Sequence, residues 1–189
     1  MKRVDLNQVA AVVTAADYKR AVHIMQSDTD DDVLIQMYID VATDVVETAI
    51  ARFLTPRQME FEAPEGDWGC WWFPVAPVQS LISVDSWDGA DWVAEDLGDF
   101  TLRSGNDEPR LILQDSYRWQ GPVGPLRVRA ICGYEDGYAP KQPHQSIILM
   151  VKEWFEAGIA VEDLAEVKMN WGVSALIQQV RYRRPCEVL

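Results

Sequence analysis

Residues 126–157 carry a strand, a turn and a helix in one run, and this run limits the fold more than any other stretch. Leu126-Arg-Val-Arg-Ala-Ile-Cys alternates, so Arg127 and Arg129 fall on one face of a strand and Val128 and Ala130 on the other. Gly133-Tyr134 and a short polar turn follow, then Pro143, which suits the first turn of a helix, and Gly158, which marks its end. Ile147, Ile148, Val151, Trp154 and Phe155 form the core stripe of that helix. A second helical region opens the chain. Helices from both ends must therefore pack together around whatever lies between.

Thr14 with Asp17 three positions on fits a helix N-cap, and a helix is expected from about Ala15 to Met25. Ser27-Asp-Thr-Asp-Asp-Asp32 offers capping carboxylates to a second helix running to about Phe53, which Thr55-Pro56 closes. On that helix Leu34, Tyr38, Val41, Val45 and Ala49 form one apolar stripe. Ile35, Ile39, Ala42, Val46, Ile50 and Phe53 form its neighbour. An arc this wide calls for burial in a bundle or against another subunit. Gln36, Asp40, Thr43, Asp44, Glu47 and Thr48 keep the narrower polar face.

Between the helical regions the pattern changes to short runs of β-formers broken by Gly, Pro, Asp and Asn. Strands are expected over 58–63, 71–73, 81–87, 92–94, 100–103, 110–113 and 126–132, with Asp88-Gly89 as a hairpin signal. A final short helix spans about 173–180. The expected fold is α+β: a helical bundle from about 15–53 and 143–180, a central antiparallel β-rich insertion over about 57–134, and an extended tail at 181–189. At 189 residues this is read as a single domain.

Several chemistries fit poorly. Thirty acidic side chains against 17 basic ones give a formal net charge of -13, which repels phosphate backbones and argues against sequence-independent DNA binding. Cys70, Cys132 and Cys186 are an odd count, far apart, with no Cys-x-x-Cys pair, so neither a disulfide framework nor a zinc site is expected. The Asp28-Thr-Asp30-Asp-Asp32 run begins like an EF-hand, but Val33 stands where the loop needs Gly and Ile39 where it needs Glu. His23 and His144 have no metal-spaced neighbours, and the Gly-x-Ser-x-Gly, Walker and dinucleotide fingerprints are missing. No catalytic residue, cofactor or metal is expected. No secretion signal or membrane span is expected either.

Two features stay open. The chain has eight tryptophans, and Trp68, Trp71, Trp72, Trp87 and Trp92 fall in the β block, where they either fill a core or subunit contact or form a ligand platform. The second use would make the chain a carbohydrate- or ligand-binding β module. Arg181, Arg183 and Arg184 with Tyr182 form a cationic tail that is either a solvated terminus or a contact for an acidic partner.

Three stretches together resemble the head-tail connector proteins of tailed bacteriophages and phage-like gene-transfer particles, also called adaptor or head-completion proteins. The first is the Asp-rich turn leading into Ala42-Thr-Asp-Val-Val-Glu-Thr-Ala-Ile-Ala-Arg52. The second is Phe73-Pro-Val-Ala-Pro-Val-Gln-Ser-Leu-Ile-Ser-Val84. The third is Val128-Arg-Ala-Ile-Cys-Gly-Tyr134 with the Pro143 helix ending in Trp154-Phe-Glu156. The likeness spans about residues 14–180, and Gly66-Asp-Trp-Gly-Cys-Trp-Trp72 departs from it. It implies a non-enzymatic virion protein, made in the host cytoplasm and located in the particle neck. There it would form a ring, typically of twelve copies, beneath the portal, extend the DNA channel and dock the next neck or tail protein, a stopper or tail terminator. DNA would be only a passenger. On that reading Arg181, Tyr182, Arg183 and Arg184 contact the portal, Leu34, Tyr38, Val41 and Val45 pack against ring neighbours, and Asp40, Asp44 and Glu47 line the channel.

Overall fold

A computed structural model describes residues 1–4, 11–103, 108–118, 123–135, 137–160 and 169–185. They fall into two compact units. One is β-rich and draws on Met1–Val9, Arg52–Gly137 and Tyr182–Leu189; the other is helical, from Ala10–Ala51 and Tyr138–Arg181. Among the described residues, five helices and antiparallel sheets make the fold α+β with a β-rich centre, as the sequence pattern predicts.

The helical unit holds α1 (Ala15–Ala21), α2 (Asp32–Ile50), α4 (Lys141–Ala157) and α5 (Trp171–Val180). Thr14 caps α1 reciprocally: the Asp17 N–H donates to Thr14 Oγ1 at 3.1 Å, and Thr14 N–H donates to Asp17 Oδ2 at 3.2 Å. The Thr14 hydroxyl also donates to Asp17 Oδ2 at 2.7 Å, which holds the Asp17 carboxyl below its ordinary range. The helix is shorter than its periodicity suggests, because Val22 leaves helical geometry and His23 takes a positive φ of 63°. α2 also stops early, at Ala51 in the left-handed region, rather than running to Phe53. α4 starts two residues before Pro143 and ends at Gly158, φ 62°. Asn170 caps α5 by accepting from Val173 N–H at 2.9 Å.

α2 packs on α1, α4 and α5, and α4 packs on α5. The stripe Ile35, Ile39, Ala42, Val46 and Ile50 is buried, as are Ile147, Val151 and Trp154 of α4 and Val173 and Ile177 of α5. Tyr38 joins them: its ring meets Trp154 and Phe155 edge-on, and its hydroxyl donates to the Ile159 carbonyl at 2.6 Å.

The Asp-rich turn before α2 departs from the expected cap. Asp31 occupies the N-cap without a side-chain hydrogen bond, and the run is organised instead by Lys19. That ammonium is 2 % exposed, donates to the Asp28 carbonyl at 2.8 Å and to the Gln26 carbonyl at 3.4 Å, and sits 2.7 Å from Asp32 Oδ1. Burying a cation requires such a cage. The turn that looks like a calcium loop thus gives an internal lysine one carboxylate, that of Asp32, and the backbone carbonyl of Asp28.

In the β-rich unit, β1 (Lys2–Arg3), β2 (Arg57–Ala63), β8 (Leu126–Cys132), β4 (Val78–Trp87) and β5 (Trp92–Ala94) form one antiparallel sheet in that spatial order. β3 (Cys70–Trp72), β7 (Arg110–Leu113) and β6 (Phe100–Arg103) form a second, and a one-turn helix, α3 (Asp115–Arg118), follows β7. β1 and α3 carry too few residues to show a period. Alternate residues of β2 and β8, namely Met59, Phe61, Ala63, Leu126, Val128, Ala130 and Cys132, meet Trp71, Leu111 and Leu113 of the second sheet and Phe73, just past β3, in one apolar cluster. Phe61, Trp71 and Phe73 pack edge to face with centroids 4.8 to 6.2 Å apart. On the opposite face Arg129 pairs with Glu60 at 2.9 Å and Arg127 with Asp85 at 2.8 Å.

The Gly133-Tyr134 turn closes this sheet. Gly133 N–H donates to the Pro77 carbonyl at 2.9 Å, Gln79 Nε2 donates to the Gly133 carbonyl at 2.8 Å, and Tyr134 N–H donates to the Phe53 carbonyl at 3.2 Å. Gly133 has φ 118°, and a Cβ there would lie 2.2 Å from the Thr55 carbonyl oxygen. Only glycine fits.

Candidate functional site

Among the described residues no group of three His, Cys, Asp or Glu side chains is arranged to hold a metal, and no helix is long and apolar enough to cross a membrane. His23 is exposed and His144 half-buried. Cys132 is fully buried and its thiol is pushed up to about 12 by burial, which removes it as a nucleophile. Cys186, Trp119 and residues 186–189 lie outside the described residues. Three surfaces stand out among the described residues.

The first is the outer side of α2. Leu34, Val41 and Val45 are half-buried, while Val33 and Met37 are 75 % and 46 % exposed, which leaves an apolar band along the helix beside its buried stripe. Tyr38, grouped with that band by periodicity, points inward. Asp40 and Asp44 are exposed beside the band, and Asp40 accepts from Gln36 Nε2 at 2.9 Å. Glu47, placed with them by sequence, is buried at 5 % exposure and does not share their solvent-facing position.

The second is the tail. Arg181, Arg183 and Arg184 are exposed, but Tyr182 is 4 % exposed, and its hydroxyl donates to the Phe73 carbonyl at 2.8 Å. The Arg52 guanidinium lies 5.8 Å from the Tyr182 ring centre and donates to the Tyr134 hydroxyl at 3.0 Å; Arg184 lies 5.7 Å over Trp71. Burial raises the Tyr182 phenol above its ordinary range. Residues 182–184 are therefore fastened to the β-rich unit, and Tyr182 is an anchor rather than a contact residue. Arg52 escaped the sequence reading because an arginine just past a helix end is normally solvated, and no local pattern betrays a buried one.

The third is the edge of the larger sheet. Trp87 on β4 faces Trp92 on β5 with ring centres 5.4 Å apart, and the Arg127 guanidinium covers Trp92 at 4.8 Å while bound to Asp85. Trp87 is 42 % exposed and Trp92 half-buried, whereas Trp71 is only 3 % exposed. Of the tryptophans that a ligand platform could draw on, Trp71 is thus core.

No family model matches the sequence, and no curated protein matches it. Solved structures do. Chains from the neck of an empty gene transfer agent particle with C6 symmetry and from the virion of the native particle superpose with TM-scores of 0.73 and 0.74 at 18% and 19% identity. A chain from the neck of the native particle with C12 symmetry gives a TM-score of 0.68 at 18% identity. Each match covers 99% of this chain and 98% of the other. The fold is shared from end to end. At this identity the side chains differ at most positions, so the likeness is one of backbone architecture.

Proposed function

We propose that this chain is a structural, non-enzymatic neck subunit of a tailed phage or phage-like gene transfer particle. Its copies form an adaptor ring of about twelve beneath the portal, extending the DNA channel and docking the next neck protein. The observation that carries this reading is the end-to-end fold likeness to chains of gene transfer agent necks and virions, two of them from neck structures with C6 and C12 symmetry. The ordered sequence motifs over residues 14–180 agree with it.

The surfaces suit such a role. The exposed band of α2, with Leu34, Val41 and Val45, serves heterologous packing between ring neighbours. Asp40 and Asp44 face the channel, where like charge keeps DNA from sticking. Arg181, Arg183 and Arg184, held in place through Tyr182, meet carboxylates of the portal. The test is native mass spectrometry of the protein mixed with the portal ring of the same particle. A complex with about one copy per portal subunit is expected, and no association at micromolar concentrations would sink the reading.

A further inference from the structure

β5 lies at the end of the five-stranded sheet, with β4 as its only partner strand among the described residues. Asp88 N–H donates to the Asp91 carbonyl at 3.1 Å and Glu95 N–H donates to the Val84 carbonyl at 2.9 Å, which fixes the hydrogen-bonded pairs of this hairpin. The intervening pairs, Trp87 with Trp92 and Asp85 with Ala94, are non-hydrogen-bonded, so the backbone N–H and C=O of Trp92 and Ala94 point off the sheet. Both faces of this edge expose an apolar side chain. Trp87 is 42 % exposed on one, and Val93, on the other, is 46 % exposed.

Soluble proteins guard such edges with lysine, proline or a bulge, and the sequence of β5, Trp-Val-Ala, has no charge and no proline. Its guard is negative charge. Residues 86–102 hold five carboxylates, Asp88, Asp91, Glu95, Asp96 and Asp99, and no lysine or arginine. Two copies of this edge repel each other, and so does a nucleic acid strand. A basic protein segment is attracted. Trp87 is also preorganised for contact, because Trp92 beneath it is held by Arg127, itself fixed by Asp85, so little side-chain entropy is lost when a partner covers it.

We infer that the β5 edge is a strand-docking site for a basic, apolar segment of the neck or tail protein that joins this ring. The partner adds a strand to β5, places an apolar side chain against Trp87, and sets its cations against Asp91 and Glu95. The inference rests on the neck reading above and names the surface through which that neck continues.

The test uses particles whose copy of this gene is deleted and supplied in trans as wild type, Trp87→Ala, Asp91→Lys or Ala94→Pro. The last removes only an outward N–H and leaves the β4 ladder intact. Each purified variant is first shown to keep its thermal transition, and particles are then scored by electron microscopy and by blotting heads for this protein. The expected result is heads that retain the protein but show at least about a tenfold fall in tails for any of the three. Tails at the wild-type frequency in all three variants overturn the inference. Loss of the protein from heads also overturns it, since the edge would then serve ring or portal assembly. Normal tailed particles from the deletion itself would instead remove the neck reading.

Discussion

Replacing Gly133 with alanine should be the most damaging one-carbon change in the β-rich unit. The new methyl group would lie 2.2 Å from the Thr55 oxygen, 2.6 Å from its carbonyl carbon and 3.0 Å from Pro56 N, so backbone on one side or the other must move by about 1 Å. Gly89 supplies the reference. Its φ is 104°, similar to the 118° of Gly133, yet nothing lies within 4 Å of where its Cβ would stand. Gly89→Ala therefore measures the positive-φ strain, about 1–3 kcal/mol, less about 0.5 kcal/mol regained from a stiffer unfolded chain. Gly133→Ala adds the displacement, which loosens the hydrogen bonds to Pro77, from Gln79 and to Phe53, each worth about 1 kcal/mol. The total is about 4 kcal/mol, or a fall in Tm of about 8–16 °C for a chain of this length. Urea unfolding followed by tryptophan fluorescence measures both variants. A Gly133→Ala loss within about 1 kcal/mol of Gly89→Ala would refute the steric argument.

The remaining predictions probe the buried polar groups. Tyr182→Phe should cost about 1–2 kcal/mol by orphaning the Phe73 carbonyl, and limited trypsin digestion at Arg181 and Arg183 should speed up; an unchanged digestion rate would show that the hydroxyl does not fasten the tail. Lys19→Met should destabilise the helical unit by about 2 kcal/mol, seen as a lower Tm by circular dichroism, because the Asp28 carbonyl and Asp32 lose their cation. Native protein at pH 8 should leave Cys132 unalkylated by iodoacetamide while Cys70 reacts, as peptide mapping would show, since burial pushes the Cys132 thiol up to about 12. The Asp17 carboxyl is lowered in the fold, so its contribution to stability is present above the ordinary value near 3.8 and disappears as pH falls through the folded value. Asp17→Asn should accordingly flatten the acid limb of stability against pH, and an unaltered limb would contradict the cap.

Much of this architecture is written locally. The alternation of β8, the Thr14–Asp17 capping box, the Asp88-Gly89 hairpin and the Pro143-to-Gly158 helix each depend on residues a few positions apart, so their chemistry can be read directly from spacing. The charge sign is equally local knowledge, because it is a sum over the sequence and needs no fold.

What the tertiary structure alone decided is which way the ambiguous side chains face. The stripe of Leu34, Tyr38, Val41 and Val45 and the stripe of Ile35, Ile39, Ala42, Val46 and Ile50 are nearly equal in hydrophobicity. Packing against α4 and α5 buries the second and takes only Tyr38 from the first. Tyr182 looks like a tail residue until it meets a carbonyl 109 residues earlier, and Tyr38 finds its acceptor 121 residues later. Trp71 and Trp87 are the same residue type in the same β block, yet one fills the core and the other stands on an open edge. The physical reason is common to all of them. Periodicity reports how a side chain relates to its own helix or strand, whereas burial depends on what chain closure brings opposite it, and that partner is set by contacts too distant in sequence for any local pattern to carry.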